Sequence, residues 1–241
     1  MVAESLTRPY PVTIPMILLV SMVPLYIFIA DVARYGSPRA PEIALDRLIP
    51  LQPAWSLVYG ALYLFLIALP VFVVRQPDHI ARTVLAYLTI WTTAYVFFLG
   101  YPTVAPRGDE VAGVGFGAWG LRLLYGADPP YNCFPSLHVA HSFVSALTCW
   151  RLHRELGIAS LFAAALVAIS TLYTKQHYVA DVVAGIALAF LAYAIFLRRY
   201  PRERVPDLDR RLAPVLAALL LALIGVGLGC FWIAYKVSGA A

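Results

Sequence analysis

A chain of 241 residues that is 61% hydrophobic and 13% charged, with a mean hydropathy of +0.77, carries more apolar side chain than a single soluble core could hide. Its net charge of +5 sits in short connections between apolar runs, which is the pattern of a topology signal and not of a nucleic-acid footprint. Cys133, Cys149 and Cys230 are odd in number and lack C-x-x-C spacing, so neither a zinc site nor a disulfide framework is indicated and free thiols are expected.

Runs long enough to cross about 30 Å of hydrocarbon fall near 13–33, 54–74, 80–100, 136–152, 157–174, 178–198 and 212–235. They predict an all-α, polytopic membrane bundle forming one transmembrane domain over 1–241. The first run is longer than a usual signal-peptide core and lacks a small-x-small cleavage site, so it is expected as an uncleaved span. Within the connection 101–135, Gly113-Val114-Gly115-Phe116-Gly117 follows no strand and opens no βαβ unit, and so reads as a flexible loop. Ala118 to Tyr125 is expected as a short amphipathic helix lying at the interface. Asp128, shortly before Pro135-Ser136-Leu137-His138, is read as part of an Asp-Pro turn, with orientation of a donor or acceptor hydroxyl as the alternative.

Orientation follows from the basic residues. With a cytoplasmic N-terminus the inner side receives Arg8, Arg75, Arg82, Arg151, Arg154 and the six arginines between 198 and 211; Arg34, Arg39, Arg47, Arg107, Arg122, Lys175 and Lys236 fall outside. Glu4, Asp78, Glu155, Glu203, Asp207 and Asp209 lie inside and the other seven acids outside. The inner surface is therefore the positive one, as the positive-inside rule requires. In this arrangement the loop 101–135, the start of the fourth span and the junction of the fifth and sixth all face outward.

Two histidine motifs meet on that outer side: Pro135-Ser136-Leu137-His138 and His177-Tyr178-Val179-Ala180-Asp181. His177 and Asp181 stand at i and i+4, on one helix face. A carboxylate on one ring nitrogen leaves the other bare and directed outward, as a nucleophile needs. His138 can give a proton to a leaving oxygen. Arg107 and Lys175 supply cations for phosphate oxygens, and Ser136 at a helix start adds its hydroxyl and nearby N–H groups. A lone interfacial histidine is ordinarily an anchor; the two together with Ser136 and Asp181 point to catalysis. His141 is read as a supporting or packing residue, and His79 and His153, among inner arginines, as structural.

At these residues the chain resembles the type 2 phosphatidic acid phosphatase superfamily. Its Pro-Ser-x-His motif is matched by Pro135, Ser136 and His138; its Ser-Arg-x5-His-x3-Asp motif is matched by Ser170, His177 and Asp181, with Thr171 at the arginine position. Of Lys-x6-Arg-Pro only Arg107 survives, Gly100 and Gly108 standing at the lysine and proline positions. The strings Cys133-Phe134-Pro135-Ser136-Leu137-His138 and Lys175-Gln176-His177-Tyr178 resemble the inositol phosphorylceramide synthase branch.

The resemblance covers about 95–195. It implies a catalytic core near 54–198 with an extra C-terminal helix near 212–235, a phosphohistidine formed on His177, Asp181 orienting it, and His138 as general acid. Arg107 and Ser136 would bind phosphate. Lys175 is expected, from its position two residues before His177 and not from the resemblance, to replace the missing arginine charge. The resemblance implies no metal and no other cofactor. The expected activity is transfer of a phosphoryl or phosphorylated head group from a lipid phosphate or phospholipid to a lipid hydroxyl at the outer leaflet. Hydrolysis of a lipid phosphate is the alternative reading, and a non-catalytic lipid-binding or lipid-moving protein the third.

Overall fold

The computed structural model describes residues 10–108 and 110–238; Glu4 and Arg8, used above for orientation, lie outside the described residues. Among them the secondary structure is helical: α1 (Tyr10–Ala33), α2 (Ala44–Leu48), α3 (Trp55–Val73), α4 (Pro77–Gly100), α5 (Phe116–Ala127), α6 (Leu137–Leu152), α7 (Arg154–Tyr173), α8 (Val179–Phe196), a 3-10 turn (Arg202–Arg204) and α9 (Asp207–Val237). The chain is a polytopic helical membrane bundle. Each expected apolar run lies within one of these helices or overlaps it to within a few residues, and the expected interfacial helix is α5.

Among the described residues six helices, α1, α3, α4, α7, α8 and α9, are long and apolar enough to span a bilayer. The seventh expected span, α6, is a helix of only 16 residues, about 24 Å at 1.5 Å per residue. It is also the most enclosed, with contacts to α3, α4, α7 and α8. Its serine hydroxyls turn inward and are satisfied there: Ser142 and Ser145 donate to the carbonyls of His138 and His141, at 2.7 and 2.9 Å, and Tyr87 of α4 meets Ser145 at 2.8 Å. A central helix shielded by its neighbours needs neither full length nor an apolar surface. By contrast α1 and α9 present rows of exposed apolar residues, among them Ile17, Phe28, Leu219 and Val226, as lipid-facing helices do.

One close approach fixes the register of α8 on α6. A Cβ placed on Gly185 would lie 2.6 Å from the carbonyl oxygen of Ser136 and 3.4 Å from the backbone nitrogen of Ala140. A side chain there must push backbone apart. Gly185→Val is expected to separate the first turns of α6 and α8, lowering the thermal midpoint in detergent by the equivalent of about 1–3 kcal/mol and reducing activity with it. An unchanged midpoint would show that the contact is not tight.

The two ends of the bundle differ in charge. At one end Arg151 donates to the Tyr200 carbonyl, Arg202 to the Trp150 carbonyl and Arg82 to the Phe196 carbonyl, while Arg204 pairs with Asp78 at 3.3 Å. His79 stacks on Tyr200 with ring centres 4.5 Å apart, and His153 caps α7 by accepting from the Leu156 N–H. Both histidines at this end therefore have packing or capping roles. The opposite end gathers the segments 34–54, 101–136 and 174–178, and with them both histidine motifs.

Candidate active site

The segments at that end are tied together by backbone. Arg39 pairs with Thr103 and Val104 with Tyr131 in isolated bridges, and Thr103 Oγ1 accepts from the N–H groups of Cys133 and Phe134 at 3.1 and 3.0 Å. These bonds lay the strip carrying Arg107 beside the strip that leads into α6. Ser136 is the N-cap of α6, its Oγ accepting from the Val139 N–H, and its own N–H donates 3.1 Å to the Asp181 carbonyl. Asp181 in turn accepts at Oδ2 from the Tyr178 N–H at 2.9 Å, holding the first turn of α8. The N-termini of α6 and α8 are thus bonded to each other, and both positive helix ends converge on the same space.

There the two histidines meet. His138 Nδ1 lies 3.1 Å from His177 Nε2, and His177 Nδ1 lies 3.4 Å from Asp181 Oδ2. Asp181 is fully enclosed and His177 nearly so, while His138 keeps a small exposure. The ring of His138 is boxed by Tyr59 and Tyr63 of α3, at 5.3 and 4.8 Å between ring centres in edge-on geometry. His141, one turn further along, packs against Tyr87 at 4.1 Å and Trp91 at 6.3 Å and does not reach the pair.

Arg107 closes the far side. It donates from Nη1 to the Asp128 carbonyl at 2.7 Å, lies 3.5 Å from Asp128 Oδ2, donates to Gln176 Oε1, and stacks 4.5 Å over the ring of Tyr125. Burial pushes the Tyr125 phenol up to about 12 against a smaller opposing pull from Arg107, so the guanidinium rests on a neutral ring. Asp128 stands between Arg107 and His138, its Oδ2 4.0 Å from His138 Nε2, and its Oδ1 accepts from the Tyr26 hydroxyl at 2.9 Å. Asp128, expected as part of a turn, is the C-cap of α5 with its carboxylate in the site.

Of the other residues singled out in the sequence, Ser136 is buried and engaged as a helix cap. Lys175 adopts a left-handed backbone (φ 53°) and sends its ammonium to the carbonyls of Ile49 and Asp46, at 2.6 and 3.2 Å, at the end of α2. Its charge is directed away from the histidine pair. Thr171, at the resembling family's arginine position, bonds back to the Ala168 carbonyl. The sequence singled out neither Tyr26 nor Tyr59, and it carried Gln176 only within the string Lys175-Gln176-His177-Tyr178. It did not single out Asp46 either, whose Oδ1 caps the Val179 N–H of α8 at 2.8 Å. The three cysteines are free thiols, with Cys133 and Cys149 buried. Burial pushes the Cys133 thiol up, which keeps it protonated and unreactive beside the site.

Fold and site together define a helical membrane protein with a buried, carboxylate-flanked histidine pair at one end of its bundle. The PAP2 superfamily profile matches residues 42–195, and the chain belongs to that superfamily. A PA-phosphatase related-family protein of Dictyostelium discoideum is 30% identical over 115 residues, covering 42% of this chain; the match spans only 21% of that relative. No solved structure matches the chain.

Proposed function

We propose that the protein is a metal-independent lipid phosphotransferase working through a phosphohistidine on His177, in the manner of the inositol phosphorylceramide synthase branch. The observation that carries this reading is the Asp181–His177–His138 series, with separations of 3.4 and 3.1 Å. With Asp181 facing Nδ1, His177 Nε2 carries the lone pair that attacks phosphorus, and Asp181 stabilises the positive charge that develops on the ring. His138 Nδ1 delivers a proton to the departing oxygen. Arg107 is the cation for phosphate oxygens, assisted by the two helix N-termini; Ser136 acts through the cap that positions His138, and Lys175 belongs to the scaffold of α2.

At 3.1 Å the two rings leave no room for phosphorus. A near-attack distance of about 3–3.5 Å on each side requires them to part on substrate entry, and Arg107 must exchange a protein partner for a phosphate oxygen. Membership of the superfamily and burial of the histidine pair away from water support a lipid phosphate as donor. The arginines gathered at the opposite end support a site facing the extracytoplasmic leaflet.

The deciding experiment is lipid mass spectrometry on purified protein given labelled phosphatidylinositol, phosphatidic acid or prenyl pyrophosphate, with and without ceramide or diacylglycerol. Label on the acceptor lipid establishes transfer. Release of free phosphate alone makes the protein a lipid phosphate phosphatase, the reading favoured by the name of the Dictyostelium relative. Lipid that is bound or moved unchanged makes it a carrier. Turnover is also expected to persist in a metal chelator and to be inhibited competitively by vanadate, a phosphate mimic; loss in chelator restored by magnesium would contradict the scheme.

A further inference from the structure

Two carboxylates and two imidazoles form one series here: Asp128 Oδ2, His138 Nε2 and Nδ1, His177 Nε2 and Nδ1, Asp181 Oδ2, with separations of 4.0, 3.1 and 3.4 Å. The imidazole–imidazole separation is that of a hydrogen bond, and the two carboxylate separations are those of ion pairs. Two neutral imidazoles carry two protons between them. A third proton makes one ring a cation, which the carboxylates at both ends stabilise against the cost of burial. The other close neighbours of the His138 ring, Tyr59 and Tyr63, are aromatic rings set edge-on to it, and Asp128 is the carboxylate that faces its Nε2. Asp128 is itself fixed from two directions, by the Tyr26 hydroxyl on Oδ1 and by Arg107 near Oδ2.

We propose that Asp128 is the positioning residue of His138, keeping a proton on Nε2 throughout the cycle so that only Nδ1 gives and takes one. The inference rests on the phosphohistidine reading above. In the first half, the His177 Nε2 lone pair forms the N–P bond while the P–O bond of the donor lipid breaks, and the departing oxygen takes the Nδ1 proton of His138. His138 is left neutral with its Nε2–H toward Asp128. In the second half, the acceptor hydroxyl oxygen bonds to phosphorus, its proton passes to His138 Nδ1, and the N–P bond breaks to restore the His177 lone pair. Atoms and charge balance, and His138 ends as the cation it began as.

The test compares an alkyl lipid phosphate with the phosphate monoester of a nitrophenol bearing the same alkyl chain, whose leaving group departs without a proton. Using single-turnover formation of the acid-labile phosphoenzyme, Asp128→Asn is expected to slow the alkyl substrate about 10²-fold and the nitrophenyl ester by less than about 3-fold, with KM little changed. Tyr26→Phe, which removes only the hydroxyl on Oδ1, is expected to give a smaller drop with the same dependence on the leaving group, and serves if Asp128→Asn does not fold. Equal losses on both substrates, or no loss on either, would overturn the role of Asp128. His177→Ala run in parallel separates the two ideas: if it still forms phosphoenzyme, the phosphohistidine reading fails; if it does not while Asp128→Asn is unimpaired, only the positioning proposal fails.

Discussion

Replacing His177 with alanine is expected to lower turnover at least about 10³-fold while the bundle stays folded. The side chain sits between His138 and Asp181, and its backbone N–H reaches the Thr171 carbonyl in either case. Truncation therefore removes the nucleophile and leaves the turn that precedes α8. Lipid turnover measured on protein whose thermal midpoint matches wild type isolates the chemical loss. The wild type should also trap a label that is stable in base and labile in acid, as a phosphoramidate is, and the variant should not. Full activity in the variant would end the nucleophile assignment.

The second large effect is expected at Asp181→Asn. The carboxylate does two things at once: Oδ2 accepts from the Tyr178 N–H and faces His177 Nδ1. Asparagine can keep the first, since a side-chain carbonyl caps a helix nearly as well. It keeps the second only weakly, because a neutral amide oxygen can accept from Nδ1–H but supplies no charge to stabilise the ring that becomes cationic. A fall in kcat on the order of 10³-fold with little change in melting is the expected result. Asp181→Ala should add a stability loss of about 1 kcal/mol from the lost cap. If asparagine melts the protein as far as alanine does, the capping role dominates and the electrostatic role is secondary.

The architecture was legible because hydrocarbon imposes a length and a composition that a sequence displays directly, and the seven helices appear where apolar runs stand. The exception in length, α6, follows from what surrounds it: a span screened on all sides can carry His138, His141, Ser142, Ser145 and Thr148 in 16 residues. The convergence of the histidine motifs was legible from spacing and parity of spans. What the sequence did not display were groups recruited by tertiary contact. Tyr26 and Tyr59 sit in apolar runs where tyrosine needs no special reason; Asp128 was visible as a polar residue beside the motif, but its Asp-Pro pair favoured the turn reading and nothing in the sequence placed it against His138. Lys175 illustrates the converse: its charge was plain, but its left-handed backbone, which sets where the chain leaves α7, could not be read from composition.

The hydroxyl of Tyr26 reaches Asp128 from α1, and the Asn132 side chain donates back to the Tyr26 carbonyl at 3.1 Å. Residue 26 precedes the interval that the superfamily profile recognises, which begins at 42. A fragment cut to that interval would retain both histidines and Asp181 yet lose the phenol that anchors the second carboxylate. The stretch of recognisable ancestry is therefore shorter than the hydrogen-bonded unit around the two histidines, and a transplant meant to test the proposed chemistry in another helical scaffold should carry the first helix along with it.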